Sequence, residues 1–213
     1  MCKPNFFIIG APKAGTTTLY RWLDQHPDVF MPRIKEPNYF AGDLPVEDRV
    51  SDLQEYMDLF KTAGQAAAIG EASVRYLRSE VSAGQIHALN KDSRIVCIFR
   101  QPVDAMYSMF HYALRRGRES LSDFQKALEL GPEREQSRAR DDIPTAPMNL
   151  CYRDGIGYAE GLKCYHDYFG KDRVLVLFFE DLKNDPETTW RQLTIFFAHR
   201  YRFHTEHGRL QHL

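Results

Sequence analysis

The stretch NFFIIGAPKAGTTTLYRWL, residues 5–23, decides the fold of this chain. An apolar run at positions 6–9 enters a turn of small residues, and the turn opens into a helical pattern. Gly10 and Gly15 have the spacing of the phosphate-binding loop G-x-x-x-x-G-K-[ST], but a threonine follows Gly15 where that motif has lysine. The lysine of this stretch, Lys13, lies inside the loop. The pattern therefore predicts a phosphate cradle whose lysine has moved.

The composition is that of an ordinary globular domain. Of the 213 residues, 43% are hydrophobic and 27% are charged, and the formal net charge is −1. A chain so close to neutral has no overall basic field for nucleic acid, so any anion site must be local. No apolar run approaches the roughly 18 residues of a membrane span, and the first residues, MCKPNFF, show no secretory signal. We expect one domain over residues 1–213, located in the cytoplasm.

The cysteines give no sign of a metal site. Cys2, Cys97, Cys151 and Cys164 form no C-x-x-C pair and have no metal-ligand spacing. Cys97 lies in an apolar strand pattern, where a small core residue is the simplest interpretation. Reduced thiols agree with a cytoplasmic compartment, and the sequence predicts no metal.

Short apolar runs alternate with helical patterns, which predicts an α/β fold with a mainly parallel sheet. The predicted strands are residues 6–9, residues 66–73 with Glu71 at the end, residues 95–99, and residues 173–182 with acidic residues at the end. The predicted helices are residues 16–25, 103–116 and 157–170, and a last one from Pro186. Residues 118–149 are polar and charge-dense, and we interpret them as a weak helix and a mobile loop.

The turn after the first strand has the chemistry of an anion site. Its glycines let the backbone approach a phosphate, and the first N–H groups of the following helix add the positive end of the helix dipole. Thr16 and Thr17 supply hydroxyl donors. A strand, turn and helix that bind nothing also favour these residues, so the loop alone leaves both interpretations open.

Two further segments carry charged residues at chemically useful places. Arg100 directly follows a buried strand, and Ser108 lies eight residues further on, in the next helix. A strand-end arginine and a helical serine can hold one phosphate together; the alternative is an ion pair of Arg100 with Asp104. Lys35 and Glu36 lie in a proline-bounded loop, where such a pair is commonly a solvated surface feature.

These segments, in this order, resemble the sulfotransferases that use 3′-phosphoadenosine 5′-phosphosulfate (PAPS), in the branch with the heparan sulfate sulfotransferases and many bacterial relatives. IIGAPKAGTTTLYRWLDQHPDV is similar to the family's 5′-phosphosulfate loop, and IFRQPVDAMYS is similar to its 3′-phosphate segment. KEPNYF resembles the segment of the catalytic base, and VLVLFFEDLKNDPETTWRQL resembles the late strand and helix. The resemblance covers residues 5–197. It implies a P-loop-like fold of three layers, with a central sheet flanked by helices.

The resemblance implies how the donor is held. The loop backbone at Ala14 and Gly15, together with Thr16 and Thr17, is implied to hold the 5′-phosphate. Arg100 and Ser108 are implied to hold the 3′-phosphate. The donor is then PAPS, with no metal.

The resemblance also implies catalytic roles. Lys13 is implied to lie near the oxygen that bridges phosphate and sulfate, where negative charge grows as the bond breaks. Glu36 is the implied general base, with His111 and Glu71 as alternatives. The expected acceptor is a hydroxyl of a sugar, a lipid or another small molecule. An amine is the less favoured alternative.

The sequence departs from the family pattern at two places. Heparan-type members have a Glu-Lys pair on the strand after the base loop, whereas this chain has Glu71 and Ala72. The role of that lysine in helping the leaving group then falls to Lys13 or Lys35. The chain also ends at FFAHRYRFHTEHGRLQHL, where relatives continue into a basic closing loop, so we expect an incomplete C-terminal part. Its histidines, His204, His207 and His212, are interpreted as a frayed end rather than a metal site.

Two other functions stay open on the sequence. A P-loop kinase or nucleotidase with ATP and Mg²⁺ requires a lysine directly after Gly15 and an acidic metal ligand, for which Glu71 and the pair Glu180-Asp181 come nearest. The other is a nucleotide-binding module without catalysis. Acceptor contacts are expected from residues 33–48 and 118–149. The aromatic candidates, which fit the core equally well, are Tyr39, Phe40, Tyr112 and Tyr152.

Overall fold

The computed structural model describes residues 2–46, 48–139 and 150–201. The strands in these ranges are β1 (Phe6–Gly10), β2 (Val29–Phe30), β3 (Ala68–Ala72), β4 (Arg94–Phe99) and β5 (Val174–Phe178). The helices are α1 (Thr16–Asp24), α2 (Leu53–Asp58), α3 (Ser82–Leu89), α4 (Pro102–Arg115), α5 (Phe124–Glu129), α6 (Gly131–Ala139), α7 (Tyr158–Phe169), α8 (Phe179–Asn184) and α9 (Pro186–Ala198). Short 3₁₀ helices cover Val74–Leu77, Tyr152–Ile156 and Lys171–Arg173.

The strands form one parallel sheet in the order β2-β3-β1-β4-β5. From the central strand β1 the chain forms β2 and β3 on one side, and only then crosses to β4 and β5 on the other. Such a reversal of strand order opens a crevice at the carboxyl end of the central strand, where ligands bind in α/β folds. The predicted α/β fold with a parallel sheet is confirmed.

The sheet is covered on both faces. Phe6 and Phe7 are consecutive, fully buried residues of β1, so their side chains point to opposite faces. The Phe6 ring packs on Phe197 of α9 with centroids 4.7 Å apart, and the Phe7 ring packs on Phe40 at 6.0 Å. Burial on two sides explains why β1 reads as a continuous apolar run rather than an alternating one. Because both faces are covered, the sheet is the middle layer of the predicted three-layer arrangement.

The prediction for residues 173–182 is wrong at its C-terminal end. The strand ends at Phe178, and Glu180 and Asp181 belong to α8. Phe178 pairs with Phe99, the last residue of β4, so no neighbouring strand continues the ladder. The chain turns into a helix there, and the Glu180 carboxylate accepts a hydrogen bond of 3.0 Å from the N–H of Gln101.

The charge-dense segment after α4 contains two helices, α5 and α6. The fully buried Glu119 carboxylate connects α6 to the 3₁₀ helix at Tyr152, since it accepts hydrogen bonds of 2.9 Å from Arg134 and 2.8 Å from the Tyr152 hydroxyl. Of the predicted weak helix and mobile loop over residues 118–149, residues 140–149 lie outside the described residues, as do the three C-terminal histidines within residues 202–213. Within the described ranges, no helix has the length and apolar character needed to cross a membrane.

Candidate active site

A cleft of about 770 Å³ opens at the carboxyl ends of β1 and β3. Its lining includes residues from three parts of the chain that carry predicted site residues. The turn after β1 contributes Lys13, Gly15, Thr16 and Thr17; the loop before α2 contributes Lys35, Glu36 and Asn38; and α4 contributes Ser108 and Tyr112. The predicted phosphate loop and the predicted base segment therefore face one cavity.

Gly15 shapes the phosphate loop. Its φ of +97° lies in the left-handed region that favours glycine, and it directly precedes α1. A Cβ at this position would lie 2.7 Å from the Leu182 side chain, so the space is also restricted. The N-cap residue of α1 is Gly15 itself, which has no side chain to cap the helix. The first turn of the helix, with Thr16 and Thr17 at the cleft, thus presents donors of the kind that bind phosphate.

Lys13 is held in an unusual conformation inside the loop. Its φ is +60°, which non-glycine residues rarely adopt. The Lys13 Nζ lies 4.4 Å from the centre of the Tyr112 ring, a cation–π distance. Burial lowers the pKa of Lys13, and the charges of Arg115 and Arg100 lower it further. A half-buried ammonium among other cations gains more from a neighbouring anion than a solvated lysine does.

Arg100 supports the phosphate loop from the end of β4. Its Nη1 donates a hydrogen bond of 3.2 Å to the carbonyl of Lys13, and its guanidinium lies 4.4 Å from the centre of the Phe179 ring. Arg100 Nε is buried without a hydrogen-bond partner among the described residues. Ser108 lines the cleft, whereas Arg100 is not among the residues that line it. The shared grip of Arg100 and Ser108 on a 3′-phosphate stays a prediction.

Glu36 projects from a strained loop that is attached to the sheet. Its φ is +62°, and its N–H donates a hydrogen bond of 2.9 Å to the carbonyl of Ala72 at the end of β3. Lys35 Nζ lies 2.6 Å from Glu36 Oε1, and the Glu36 side chain is 37% exposed. The carboxylate is therefore accessible from the cleft and already lies beside a cation. Glu36 and Lys13 also interact electrostatically across the cleft.

The two alternative bases are less well placed. His111 packs against the ring of Tyr107 at 4.3 Å and against Phe110 at 5.3 Å, and it does not line the cleft. Glu71 is fully buried, where Tyr76 and Tyr56 donate hydrogen bonds of 2.8 and 3.2 Å to its Oε2. None of the three carboxylates of the kinase interpretation, Glu71, Glu180 and Asp181, lines the cleft. The geometry favours Glu36.

Burial of Glu71 has a consequence for stability. Desolvation raises the pKa of this carboxyl from 4.5 to about 7, although its hydrogen bonds act in the opposite direction. A raised pKa means that the folded protein binds the proton more tightly than the unfolded chain does. The stabilising contribution is complete below pH 4.5 and is lost as pH rises through about 7.

We expect Glu71→Gln to remove this pH dependence, because glutamine resembles the neutral acid. The wild type should lose free energy of unfolding from pH 5 to pH 8 through Glu71, and the variant should not. The difference, variant minus wild type, should therefore be about 2–3 kcal/mol larger at pH 8 than at pH 5. Urea unfolding at both pH values measures the difference. Glu160→Gln, which changes an exposed glutamate on α7, controls for the substitution. Parallel pH profiles for the Glu71 variant and the wild type would contradict the raised pKa.

The sequence analysis missed a group of arginines at the cleft. Arg75 lies in the 3₁₀ helix after β3 and Arg78 directly follows that helix, whereas Arg118 comes from the loop after α4. Arg78 forms an ion pair of 3.1 Å with Asp154, and burial and the charge of Arg78 lower the pKa of Arg75. Their spacing carries no motif. The available signal was the position of Arg75, soon after a strand that ends next to the phosphate loop.

The predicted acceptor loops contribute to the cleft in part. Residues 33–48 supply Ile34, Pro45, Val46 and Asp48 to its lining, and residues 118–149 supply Arg118. Tyr112 lines the cleft, whereas Phe40 and Tyr152 are buried in the core and Tyr39 stacks on Tyr56 with centroids 4.5 Å apart. In the described ranges, no three His, Cys, Asp or Glu side chains come together as a metal site.

Comparisons with known proteins agree with this geometry. The sequence profile of the sulfotransferase domain matches residues 3–207. Carbohydrate sulfotransferase 15 of Mus musculus is 30% identical over 92% of this chain and 44% of its own length. A crystal structure of a sulfotransferase from Alicyclobacillus acidocaldarius superposes with a TM-score of 0.88 and 31% identity, over 100% of this chain and 87% of that one. The chain belongs to the sulfotransferase domain family, which confirms the resemblance.

The fold similarity extends to more distant members. Mouse sulfotransferase SULT7A1, solved in complex with PAP, has a TM-score of 0.57 and 18% identity, over 92% of this chain and 58% of that one. This chain spans less than half the length of the mouse carbohydrate sulfotransferase that it matches.

Proposed function

We propose that this protein transfers a sulfuryl group from PAPS to a hydroxyl of an acceptor molecule. The observation that carries the proposal is the placement of Lys13 and Glu36 in one cleft at the end of β1. A cation on the phosphate loop and a carboxylate on the opposite loop are the two groups that an in-line transfer needs. Membership of the sulfotransferase domain family supports the same reaction.

The residues at the cleft fit the proposed donor. Thr16 and Thr17, in the first turn of α1, offer donors for the 5′-phosphate, and Ser108 offers a hydroxyl for the 3′-phosphate. Arg100, which does not line the cleft, is proposed to reach the 3′-phosphate from the end of β4. The buried Nε of Arg100, which lacks a partner among the described residues, adds an unused donor at the end of β4. When bound, PAPS supplies an activated sulfuryl group joined to its 5′-phosphate through a bridging oxygen.

The protein side chains then have complementary roles. Glu36 accepts the proton of the acceptor hydroxyl as the new oxygen–sulfur bond forms. Lys13 stabilises the negative charge that grows on the bridging oxygen as the old sulfur–oxygen bond breaks. The products are a sulfate ester and adenosine 3′,5′-bisphosphate, with the proton on Glu36. Lys35 is bound to Glu36 at 2.6 Å and keeps that carboxylate beside the cleft.

We further propose that the acceptor is an acidic carbohydrate. Cationic side chains outnumber carboxylates in the cleft: Lys13, Lys35, Arg75, Arg78 and Arg118 against Glu36 and Asp48. The ion pair with Asp154 offsets the charge of Arg78, so the proposal rests on the net positive charge of the cleft lining. Relatives include a carbohydrate sulfotransferase, and arginine is the preferred partner of carboxylate and sulfate groups.

Calorimetry and a transfer assay test the function. We expect adenosine 3′,5′-bisphosphate to bind without Mg²⁺ and more tightly than ATP with Mg²⁺; the reverse order would favour the kinase alternative. Labelled PAPS incubated with heparan sulfate, a neutral polysaccharide or a phenol should transfer label to a carbohydrate. Nucleotide binding without transfer to any acceptor in a wider panel would favour a non-catalytic module.

For Arg118→Gln we expect KM for an acidic polysaccharide to rise about tenfold, because one charged hydrogen bond to the acceptor is lost. Nucleotide affinity should not change. Arg153→Gln is the matched control, since Arg153 is exposed and does not line the cleft. An equal rise for a neutral acceptor would show that Arg118 does not recognise charge.

For Arg100→Ala we expect binding of adenosine 3′,5′-bisphosphate to weaken by about 1.5–3 kcal/mol, or about ten- to a hundredfold. Adenosine 5′-monophosphate, which lacks the 3′-phosphate, should be hardly affected. Calorimetry measures the affinity of both nucleotides for Arg100→Ala and, in parallel, for Ser108→Ala. Equal losses for both nucleotides would mean that Arg100 acts through the Lys13 carbonyl that it holds.

A further inference from the structure

The loop that carries Glu36, residues 35–40, is attached to the end of β3 at more than one point. We call these residues the base loop. Besides the bond from Glu36 N–H to the Ala72 carbonyl, the N–H of Asn38 donates a hydrogen bond of 3.0 Å to the Ser73 hydroxyl. The side-chain amide of Asn38 donates a hydrogen bond of 2.7 Å to the Glu36 carbonyl. Asn38 has a φ of +53°, so two residues of this loop adopt conformations that need support from their surroundings.

A third attachment leads into the core. The N–H of Phe40 donates a hydrogen bond of 3.4 Å to the hydroxyl of Tyr76. That hydroxyl in turn donates a hydrogen bond of 2.8 Å to Glu71 Oε2. The bond to Glu71 fixes the direction of the Tyr76 O–H, and therefore leaves a lone pair of the same oxygen for Phe40. Glu71, Tyr76 and Phe40 are all buried. The chain of bonds thus connects a buried carboxylate to the C-terminal end of the base loop.

We propose that Glu71 and Tyr76 are positioning residues for catalysis: Glu71 orients the Tyr76 hydroxyl, which holds the base loop so that Glu36 faces Lys13 across the cleft. This inference rests on the proposed function. Neither residue lines the cleft, so neither touches the reacting atoms. Their effect on the rate is geometric, since a displacement of about 1 Å at a reacting group can cost roughly a hundredfold in rate.

The chain offers a matched control for this proposal. Tyr56 also donates to Glu71 Oε2, at 3.2 Å, and is as completely buried as Tyr76. Its ring packs against Tyr39 and Phe40, but the structure gives its hydroxyl no bond to the backbone of the base loop. Tyr76→Phe and Tyr56→Phe therefore remove the same group from the same carboxylate, and only the first breaks the connection to the base loop.

In the transfer assay, we expect Tyr76→Phe to lower kcat about 10- to 100-fold with KM for PAPS unchanged, because the base moves and the donor site does not. Tyr56→Phe should stay within about threefold of wild type. Glu71→Gln keeps an oxygen acceptor for the tyrosine and should fall between the two. Equal losses of kcat in the two tyrosine variants, or a loss only in nucleotide affinity, would overturn the proposal.

A double-mutant cycle separates positioning from general loss of structure. In a Glu36→Gln background the base is already absent, so adding Tyr76→Phe should lower kcat no further. A full additional loss would show that Tyr76 acts on something other than Glu36. Thermal unfolding must also show that both tyrosine variants stay folded at the assay temperature, since each loses one hydrogen bond to Glu71 and Tyr76→Phe also loses the bond from Phe40 N–H.

Amide hydrogen exchange tests the attachment without any assay of activity. The amide of Phe40 should exchange faster in Tyr76→Phe than in Tyr56→Phe, because only the first loses its acceptor. Absence of PAPS-dependent transfer in the wild type would overturn the proposed function and the catalytic role together, while the exchange result would still decide the attachment. Unchanged exchange at Phe40 in an active enzyme would overturn this inference alone.

Discussion

Glu36→Gln should lower turnover by about 10²–10⁴-fold while nucleotide binding stays nearly unchanged. Glutamine keeps the shape of the side chain but cannot take the proton of the acceptor hydroxyl. Glu36 lines the cleft beside the phosphate loop, and its carboxylate is held at 2.6 Å from Lys35. Turnover at saturating PAPS with one accepted substrate measures the effect, and calorimetry with adenosine 3′,5′-bisphosphate checks the binding.

His111→Ala tests whether His111, rather than Glu36, is the general base. His111 packs on Tyr107 and Phe110 and does not line the cleft, so we expect turnover close to that of wild type. A wild-type rate in Glu36→Gln, together with a large loss in His111→Ala, would move the base to the histidine. Loss of nucleotide binding in Glu36→Gln would show instead that the loop itself had been disturbed.

Lys13→Ala should lower turnover far more than it lowers nucleotide affinity, because the charge that Lys13 meets develops mainly in the transition state. Removing one group that stabilises such charge costs about 10²–10³-fold in kcat. The half-buried position of Lys13 over Tyr112, with its lowered pKa, agrees with a cation placed for a new negative charge. Single-turnover transfer with PAPS measures the rate, and calorimetry measures the affinity.

Lys35→Ala separates the two lysines of the cleft. Lys35 is bonded to the Glu36 carboxylate, so its loss should lower turnover less than the loss of Lys13 does, because it affects the placement of the base rather than the departure of the bisphosphate. If Lys13→Ala reduces affinity as strongly as turnover, Lys13 is a phosphate ligand and nothing more. If Lys35→Ala has the larger effect on turnover, Lys35 stabilises the leaving group in its place.

The sequence by itself determined the features that depend on neighbouring residues. Residues 5–23 form a strand, a tight turn and a helix because the apolar run, the glycines and the threonines each suit their own local conformation. The same is true of Arg100 and Ser108, since a buried strand followed by a helix places both at a sheet end. These predictions needed no knowledge of distant contacts. The resemblance to the sulfotransferases rested on these local segments, and the comparisons confirm it.

Only the tertiary structure decided which of these segments meet. Glu36 faces Lys13 because strand order places β3 beside β1, and the end of β3 holds the base loop. The fold buries Glu71 completely and away from the cleft, and it brings three arginines that share no motif to the cleft lining. The extent of β5 was likewise decided by its partner, since β4 ends at Phe99. Hydrogen bonding across strands and exclusion of water act between residues far apart in the chain, and a linear pattern does not record them.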